Sequence, residues 1–172
     1  VTDVASVKGM MTGVGGRFVG GHPMAGTEKS GIAAARAHLF ENAFYAVVPY
    51  ENTSEADVKY MCELVRSFGA KPVVMSAAEH DGRVSEVSHL PHMIAYALTG
   101  YALKADGFAG TGFTDTTRIA ASDPGLWTDV AFLNRDNLLR DMRGYEKEFS
   151  KYVTALENGD REGLRGLIAA AK

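Results

Sequence analysis

The sequence is poor in cysteine, with Cys62 alone in 172 residues. One thiol cannot close an intramolecular disulfide, which excludes a disulfide-stapled secreted scaffold and makes cytoplasmic residence the default expectation. Blocks of like charge are also lacking: 18 Lys+Arg stand against 21 Asp+Glu, a net charge of −3. Nucleic-acid and membrane-surface binding both need a concentrated basic patch, so neither partner is expected. The longest strongly apolar run, Met93 to Leu98, falls far short of the ~20 residues of a membrane span. No signal peptide opens the chain, which begins Val1-Thr2-Asp3. A phosphate-cradling motif is missing too. Thr12-Gly13-Val14-Gly15-Gly16 does not match G-x-G-x-x-G and precedes a strand signal rather than following one. What the sequence does have is apolar material, 46% of its residues. That suffices for a real core, since a chain of this size buries roughly 70% of its unfolded surface. The length corresponds to one domain or one and a half.

Two stretches read differently, and the boundary falls between residues 78 and 79. In residues 1–78, short runs rich in Val and aromatics sit between Gly and Pro punctuation. Arg17 to Gly20, Ala43 to Pro49 and Lys71 to Met75 read as short buried strands. Between the second and third, Ser54-Glu55-Ala56-Asp57 has capping-box spacing. Apolar residues follow at Val58, Met61, Cys62, Val65 and Phe68, and Gly69 supplies a stop. This predicts an amphipathic helix inside a βαβ unit, hence parallel strands. In residues 79–172 the period becomes helical and strand signals vanish. Asp123-Pro124 supplies an N-cap and a first-turn proline. Leu138, Met142, Tyr145, Phe149, Tyr152 and Leu156 are spaced 4-3-4-3-4. Such a stripe packs either in a bundle or across a dimer interface. Asn158-Gly159-Asp160 ends that helix and caps a last one, Arg161 to Lys172. The predicted class is mainly α with an N-terminal α/β portion.

Three segments carry candidate chemistry. His22 lies in Gly20-Gly21-His22-Pro23-Met24-Ala25-Gly26, at the end of a predicted strand. The proline extends its backbone, the glycines permit close approach, and a strand's carboxyl end is where open α/β sheets place ligand contacts. A turn histidine without a role is the plain alternative. His89 and His92 flank Pro91 at helical spacing, so both rings can face one site. A polar substrate pocket, two structural histidines and a metal site are the readings; the lone Cys62 on a buried helix face makes no zinc set with them, and no metal is expected. Arg118 stands among small and hydroxylated residues, which leaves room for a carboxylate at its fork or for pairing with Asp115 or Asp123. Trp127 follows, as pocket wall or core.

Together with Asp3-Val4-Ala5-Ser6-Val7-Lys8, the segments from Gly21 to Gly31, Ser88 to His92, and Asp115 to Ala120 with Ser122-Asp123-Pro124 and Trp127 resemble the prephenate/arogenate dehydrogenases of tyrosine biosynthesis. Order and spacing agree along essentially the whole chain. The resemblance implies the last strands of a Rossmann-like, nucleotide-binding sheet followed by an all-helical dimerisation domain. It implies an oxidative decarboxylation of a cyclohexadienyl acid with NAD or NADP, and a homodimer. By the same resemblance His22 is the general base and Ser6 orients it and the substrate hydroxyl beside the nicotinamide, the one cofactor contact of this chain. Arg118 clamps a substrate carboxylate, His89, His92 and Trp127 line the pocket, and Thr27, Glu28 and Asp115 flank its entrance. The chain departs from the family in starting near the end of the dinucleotide-binding half, so by itself it is expected to be inactive. The competing expectation is a non-catalytic dimerisation or ligand-binding protein that keeps the pocket without the cofactor half; a zinc hydrolase on His22, His89 and His92 is a third.

Overall fold

The structure is a computed structural model that describes residues 1–11, 13–26, 31–102 and 108–172. Strands β1 (Val19–Pro23), β2 (Phe44–Pro49) and β3 (Lys71–Val74) form one sheet in the order β1-β2-β3. Strand β2 is central. Its residues Tyr45 to Val48 are buried whichever face they point to, which is why the sequence there is continuously apolar rather than alternating. β2 and β3 run parallel, as the βαβ pattern requires, and helix α1 (Glu55–Ser67) crosses between them. The Ser54 hydroxyl accepts the Asp57 N–H at 3.2 Å to open α1. Gly69, at φ 83, stands just beyond its close in a left-handed conformation that glycine adopts without strain. Met61, Cys62 and Val65 of α1 pack down on Val19, Tyr45, Val47 and Ala70.

The first strand differs from the expected Arg17 to Gly20. Pairing begins at Val19, whose N–H donates to the Val1 carbonyl at 3.0 Å, while Thr2 bridges Val19 in parallel. Arg17 instead turns outward to the Asp57 carboxylate at the start of α1. The strand therefore runs on to Pro23 and carries His22 within it, opposite Ala46 of antiparallel β2.

After β3 the chain is helical. Helix α2 (Ala77–Val84) opens with a reciprocal capping box: the Glu79 N–H donates to the Ser76 hydroxyl and the Ser76 N–H to the Glu79 carboxylate. One wide turn of π-helix, Ser85–His89, joins it to α3 (Leu90–Ala102). The turn widens where Pro91, with no N–H and a ring pressing on the turn before it, disturbs the regular ladder. Then come α4 (Thr111–Thr117), a 3-10 turn Arg118–Ala121, α5 (Pro124–Leu133), α6 (Arg135–Glu157) and α7 (Arg161–Ala170). The Asp123 carboxylate caps α5 by accepting the Leu126 N–H at 2.7 Å, and Asp160 caps α7 through Gly163 at 2.8 Å. Of the apolar stripe on α6, Leu138 alone is buried; Met142, Tyr145, Phe149 and Leu156 are exposed. The stripe thus does not pack as a bundle within the chain. Among the described residues no helix is long and apolar enough to cross a membrane.

Candidate functional site

The site forms where the free edge of β1 meets α2, the π turn and α5. Because Thr2 bridges Val19 in parallel, the loop that follows Thr2 emerges at the same end of the sheet as His22. Lys8 folds that loop inward. Its side chain is 0% exposed, with the ammonium bonded to the Asp3 carboxylate and, at 2.7 Å, to the Ala5 carbonyl. Asp3 in turn accepts the Gly21 N–H of β1 and the Ala5 N–H, each at 2.9 Å. Gly21 must be glycine here, since a Cβ would lie 2.6 Å from the Asp3 carbonyl oxygen. These bonds tie the loop that carries half-buried Ser6 to β1 at Gly21, the neighbour of His22.

His22 does not stand alone. Its Nδ1 lies 2.8 Å from Nε2 of His80, and His80 Nδ1 lies 2.7 Å from the Asp81 carboxylate. Among the described residues, His22 bonds through its ring to His80 and not to Ser6. Asp81 also accepts the N–H groups of Lys8 and Gly9, at 2.8 and 2.7 Å, and so ties α2 to the Ser6 loop. Burial alone would raise the Asp81 carboxyl; the hydrogen bonds from His80, Lys8 and Gly9 more than offset it and hold it below the usual carboxylate range. For His22 burial dominates, aided by His80, Lys8 and His89, and pushes the ring down to about 3. It is a neutral imidazole at physiological pH.

His89 sits on the π turn, 1% exposed, and burial lowers it to about 4. Its Nδ1 lies 3.2 Å from Nδ2 of Asn134, the residue that closes α5. That Asn134 nitrogen also donates to the Asp81 carbonyl at 2.7 Å, and Asn137 donates to its oxygen at 2.8 Å. Flipping the amide would set two carbonyl oxygens against each other, so Nδ2 is the donor and His89 Nδ1 the acceptor. The neutral ring then carries its proton on Nε2.

The expected shared face of His89 and His92 takes another form, because the π turn rotates one against the other. They meet through Trp127. His92 stacks on the indole with ring centroids 3.3 Å apart, and His89 approaches it edge-on at 6.0 Å. The His92 Nδ1–H donates to the Ser88 carbonyl at 2.8 Å. Burial, which outweighs that bond, lowers the His92 ring, and the Arg118 charge lowers it further. Arg118 is exposed on the 3-10 turn and Asp115 on α4. Thr27 and Glu28 lie outside the described residues.

The sequence pattern gives no sign of roles for His80, Asp81 and Asn134, and Lys8 stands in it only as the last residue of a resembling segment. Adjacent positions such as His80 and Asp81 do not share a helix face, so spacing gave no sign that both close one chain of bonds. The signal available was local: two titratable residues directly after a capping box, both of which turn inward while Glu79 and Arg83 of the same helix face solvent. Among the described residues no group of three His, Cys, Asp or Glu side chains could hold a metal ion.

The fold and the cluster define a class: an α/β sheet edge joined to a helical layer, with neutral histidines at the junction. The family descriptions "Prephenate dehydrogenase, nucleotide-binding domain" and "Prephenate dehydrogenase, dimerization domain" match residues 1–74 and 76–170. The chain belongs to the prephenate dehydrogenase family. It is 38% identical to the prephenate dehydrogenase of Bacillus subtilis over 100% of its length, covering 50% of that protein. The crystal structure of Synechocystis arogenate dehydrogenase superposes with a TM-score of 0.83 at 33% identity, over 98% of this chain and 66% of that one. The Aquifex aeolicus prephenate dehydrogenase, in complex with hydroxyphenyl propionate and NAD+, gives a TM-score of 0.87 at 31% identity, over 99% and 64% of the two chains. The chain spans about half the length of the curated relatives it matches.

Proposed function

We propose that the chain is the catalytic-histidine, substrate-binding and dimer-forming part of an NAD- or NADP-dependent dehydrogenase that converts prephenate to 4-hydroxyphenylpyruvate, or arogenate to tyrosine, in the cytoplasm. Residues 1–78 are the end of the nucleotide-binding portion and residues 79–172 the helical dimerisation domain. The observation that carries this reading is the neutral His22 ring on β1, bonded through Nδ1 to His80 at 2.8 Å beside the Ser6 loop.

A bound nicotinamide would supply the hydride acceptor for the ring carbon bearing the hydroxyl. What this chain offers it is the Ser6 loop, which follows the parallel bridge of Thr2 to Val19 at the end of the sheet where α/β folds receive dinucleotides. The Lys8 and Asp3 bonds keep that loop in place. His22 takes the hydroxyl proton. Its ring is neutral at physiological pH and so has a lone pair for that proton, and the hydroxyl turns strongly acidic as hydride leaves. The substrate ring becomes a dienone, the bond to the opposite carboxylate breaks, and the electron pair released with carbon dioxide aromatises it to a phenolate, which takes the proton back from the His22 imidazolium. Arg118 holds a substrate carboxylate, and Trp127 with His89 and His92 covers the ring. Thr27, Glu28 and Asp115 flank the entrance.

The test is an assay of the full-length gene product with prephenate and arogenate against both cofactors. His22→Asn should lower kcat by two orders of magnitude or more at nearly unchanged KM, since a base acts in the transition state. Arg118→Gln should chiefly raise KM. A protein that binds the acid tightly yet turns over neither substrate is instead the non-catalytic ligand-binding protein.

A further inference from the structure

The deepest part of the cluster lies behind His22 and takes no step of the reaction itself. The His80 side chain is 1% exposed, and both of its nitrogens are engaged. Asp81 is an acceptor only, because three hydrogen bonds hold it ionised. His80 Nδ1 must therefore carry the proton that lies between them. A singly protonated ring then has a bare Nε2, which can only accept, and the donor 2.8 Å away is Nδ1 of His22. One consequence follows at the far side of His22: its Nε2 has no proton.

We propose that His80, backed by Asp81, is a positioning residue that locks His22 in the Nδ1–H tautomer and keeps its Nε2 lone pair as the acceptor of the site. An isolated imidazole exchanges between both tautomers and swings about its side-chain bonds. Here the two-bond chain fixes the ring plane and the proton together, as partners behind a reactive histidine do. Other charged or titratable groups facing His22 are Lys8 and Asp3 from the loop and His89 from the π turn. None of them is its hydrogen-bond partner, so among the described residues it is His80 that sets the tautomer. Asn134 does the reverse for His89, leaving Nε2–H as a donor. The cluster thus holds one imidazole ready to accept and one ready to donate.

The assignment of the tautomer stands on the hydrogen-bond geometry of a neutral His22, whatever the reaction; its effect on turnover rests on the dehydrogenase reading. The two are tested separately. Nitrogen-15 NMR of histidine-labelled full-length protein at neutral pH should show His22 with a protonated, pyrrole-like Nδ1 and a bare, pyridine-like Nε2. The opposite pattern, which a doubly protonated His80 would impose, overturns the proposal. In His80→Gln the side-chain oxygen can still accept from His22, so the tautomer should persist. In His80→Leu the signals should become those of a mixture. A His80→Leu protein that folds and keeps the wild-type His22 pattern also overturns it; should that variant fail to fold, the wild-type and His80→Gln spectra decide. In the kinetic arm, His80→Leu should lower kcat about 10–100-fold with little change in KM, and His80→Gln should recover most of that. If the tautomer is as stated and the wild type has no activity, the reaction assignment fails and the tautomer lock stands.

Discussion

The sheet portion and the helical portion bury their apolar residues to very different extents. Around β2 the sheet closes on itself: Val47, Val48 and Val65 are 0% exposed, and the buried Lys8 has its carboxylate partner close by in sequence. On α6 and α7, Tyr145, Phe149, Leu156 and Ile168 stand in solvent, the last three more than half exposed. Contiguous exposed apolar residues on a regular helix mark an association surface. The first portion thus has a buried core of its own around β2, whereas the second presents a surface for a partner, which in the proposed dimer is a second copy.

The sharpest way to break this contrast is to remove Asp3. Asp3→Ala leaves the Lys8 ammonium buried without its counter-ion, an arrangement that costs about 3–5 kcal/mol when one partner of a buried pair is deleted. Denaturant titration should show that loss equally at every protein concentration, because both charges lie within one chain. A loss below about 1 kcal/mol would mean that Lys8 reaches water and that the loop is not the closed unit described.

Next in size is the response to acid, which probes the seam between the portions. His22 and His89 titrate near 3 and 4 in the folded chain because burial disfavours their charged forms, against an ordinary value of 6.5. Their contribution is complete above pH 6.5. As pH falls below that, the unfolded chain takes up protons that the folded chain refuses, and stability declines until the folded values are reached. The expected loss between pH 7 and 4.5 is about 3 kcal/mol, allowing for partial hydration of the site. Urea midpoints measured across that interval check it; a flat profile would place both rings in contact with solvent.

Phe149→Asp addresses the helical portion. A charge set into the centre of the α6 stripe should weaken self-association by about 2 kcal/mol, a rise of roughly 30-fold in the dissociation constant. Thermal midpoints of the wild type should climb with protein concentration and those of the variant should not. Sedimentation showing a wild-type monomer at micromolar concentration would contradict the assignment of this surface.

The sequence made the two portions unequally legible. Helix α1 was plain because Ser54, the 3-4 spacing of its apolar residues and Gly69 all agree, and β2 because a central strand buried on both faces leaves an unbroken apolar run. The stripe on α6 was equally visible, but periodicity cannot say whether the surface that covers it belongs to the same chain. At the site, His22, His89, His92 and Trp127 were legible through neighbours that bend or widen the backbone. His80, Asp81 and Asn134 were not, because their roles come from contacts between residues 45–73 positions apart in the chain, such as Asn134 to Asp81 and Asp81 to Lys8. Such contacts leave no local pattern.

The smallest predicted effect lies at that seam. Ser85 opens the π turn with its side chain 0% exposed, and its hydroxyl finds no partner among the described residues. A helical serine usually returns its hydroxyl to the carbonyl four residues earlier, here that of Asp81. That carbonyl already accepts the Ser85 backbone N–H and the Asn134 side chain, at 2.7 Å for the latter. A buried hydroxyl without a partner costs about 1 kcal/mol or more, so Ser85→Ala should leave stability unchanged or raise it by about that amount. The variant should also keep the His22 and His89 tautomers, since neither ring bonds to Ser85. A loss above 1 kcal/mol in Ser85→Ala would show instead that a water bridges the hydroxyl into the cluster. The polar seam would then extend one turn further along the helix than its direct bonds reach.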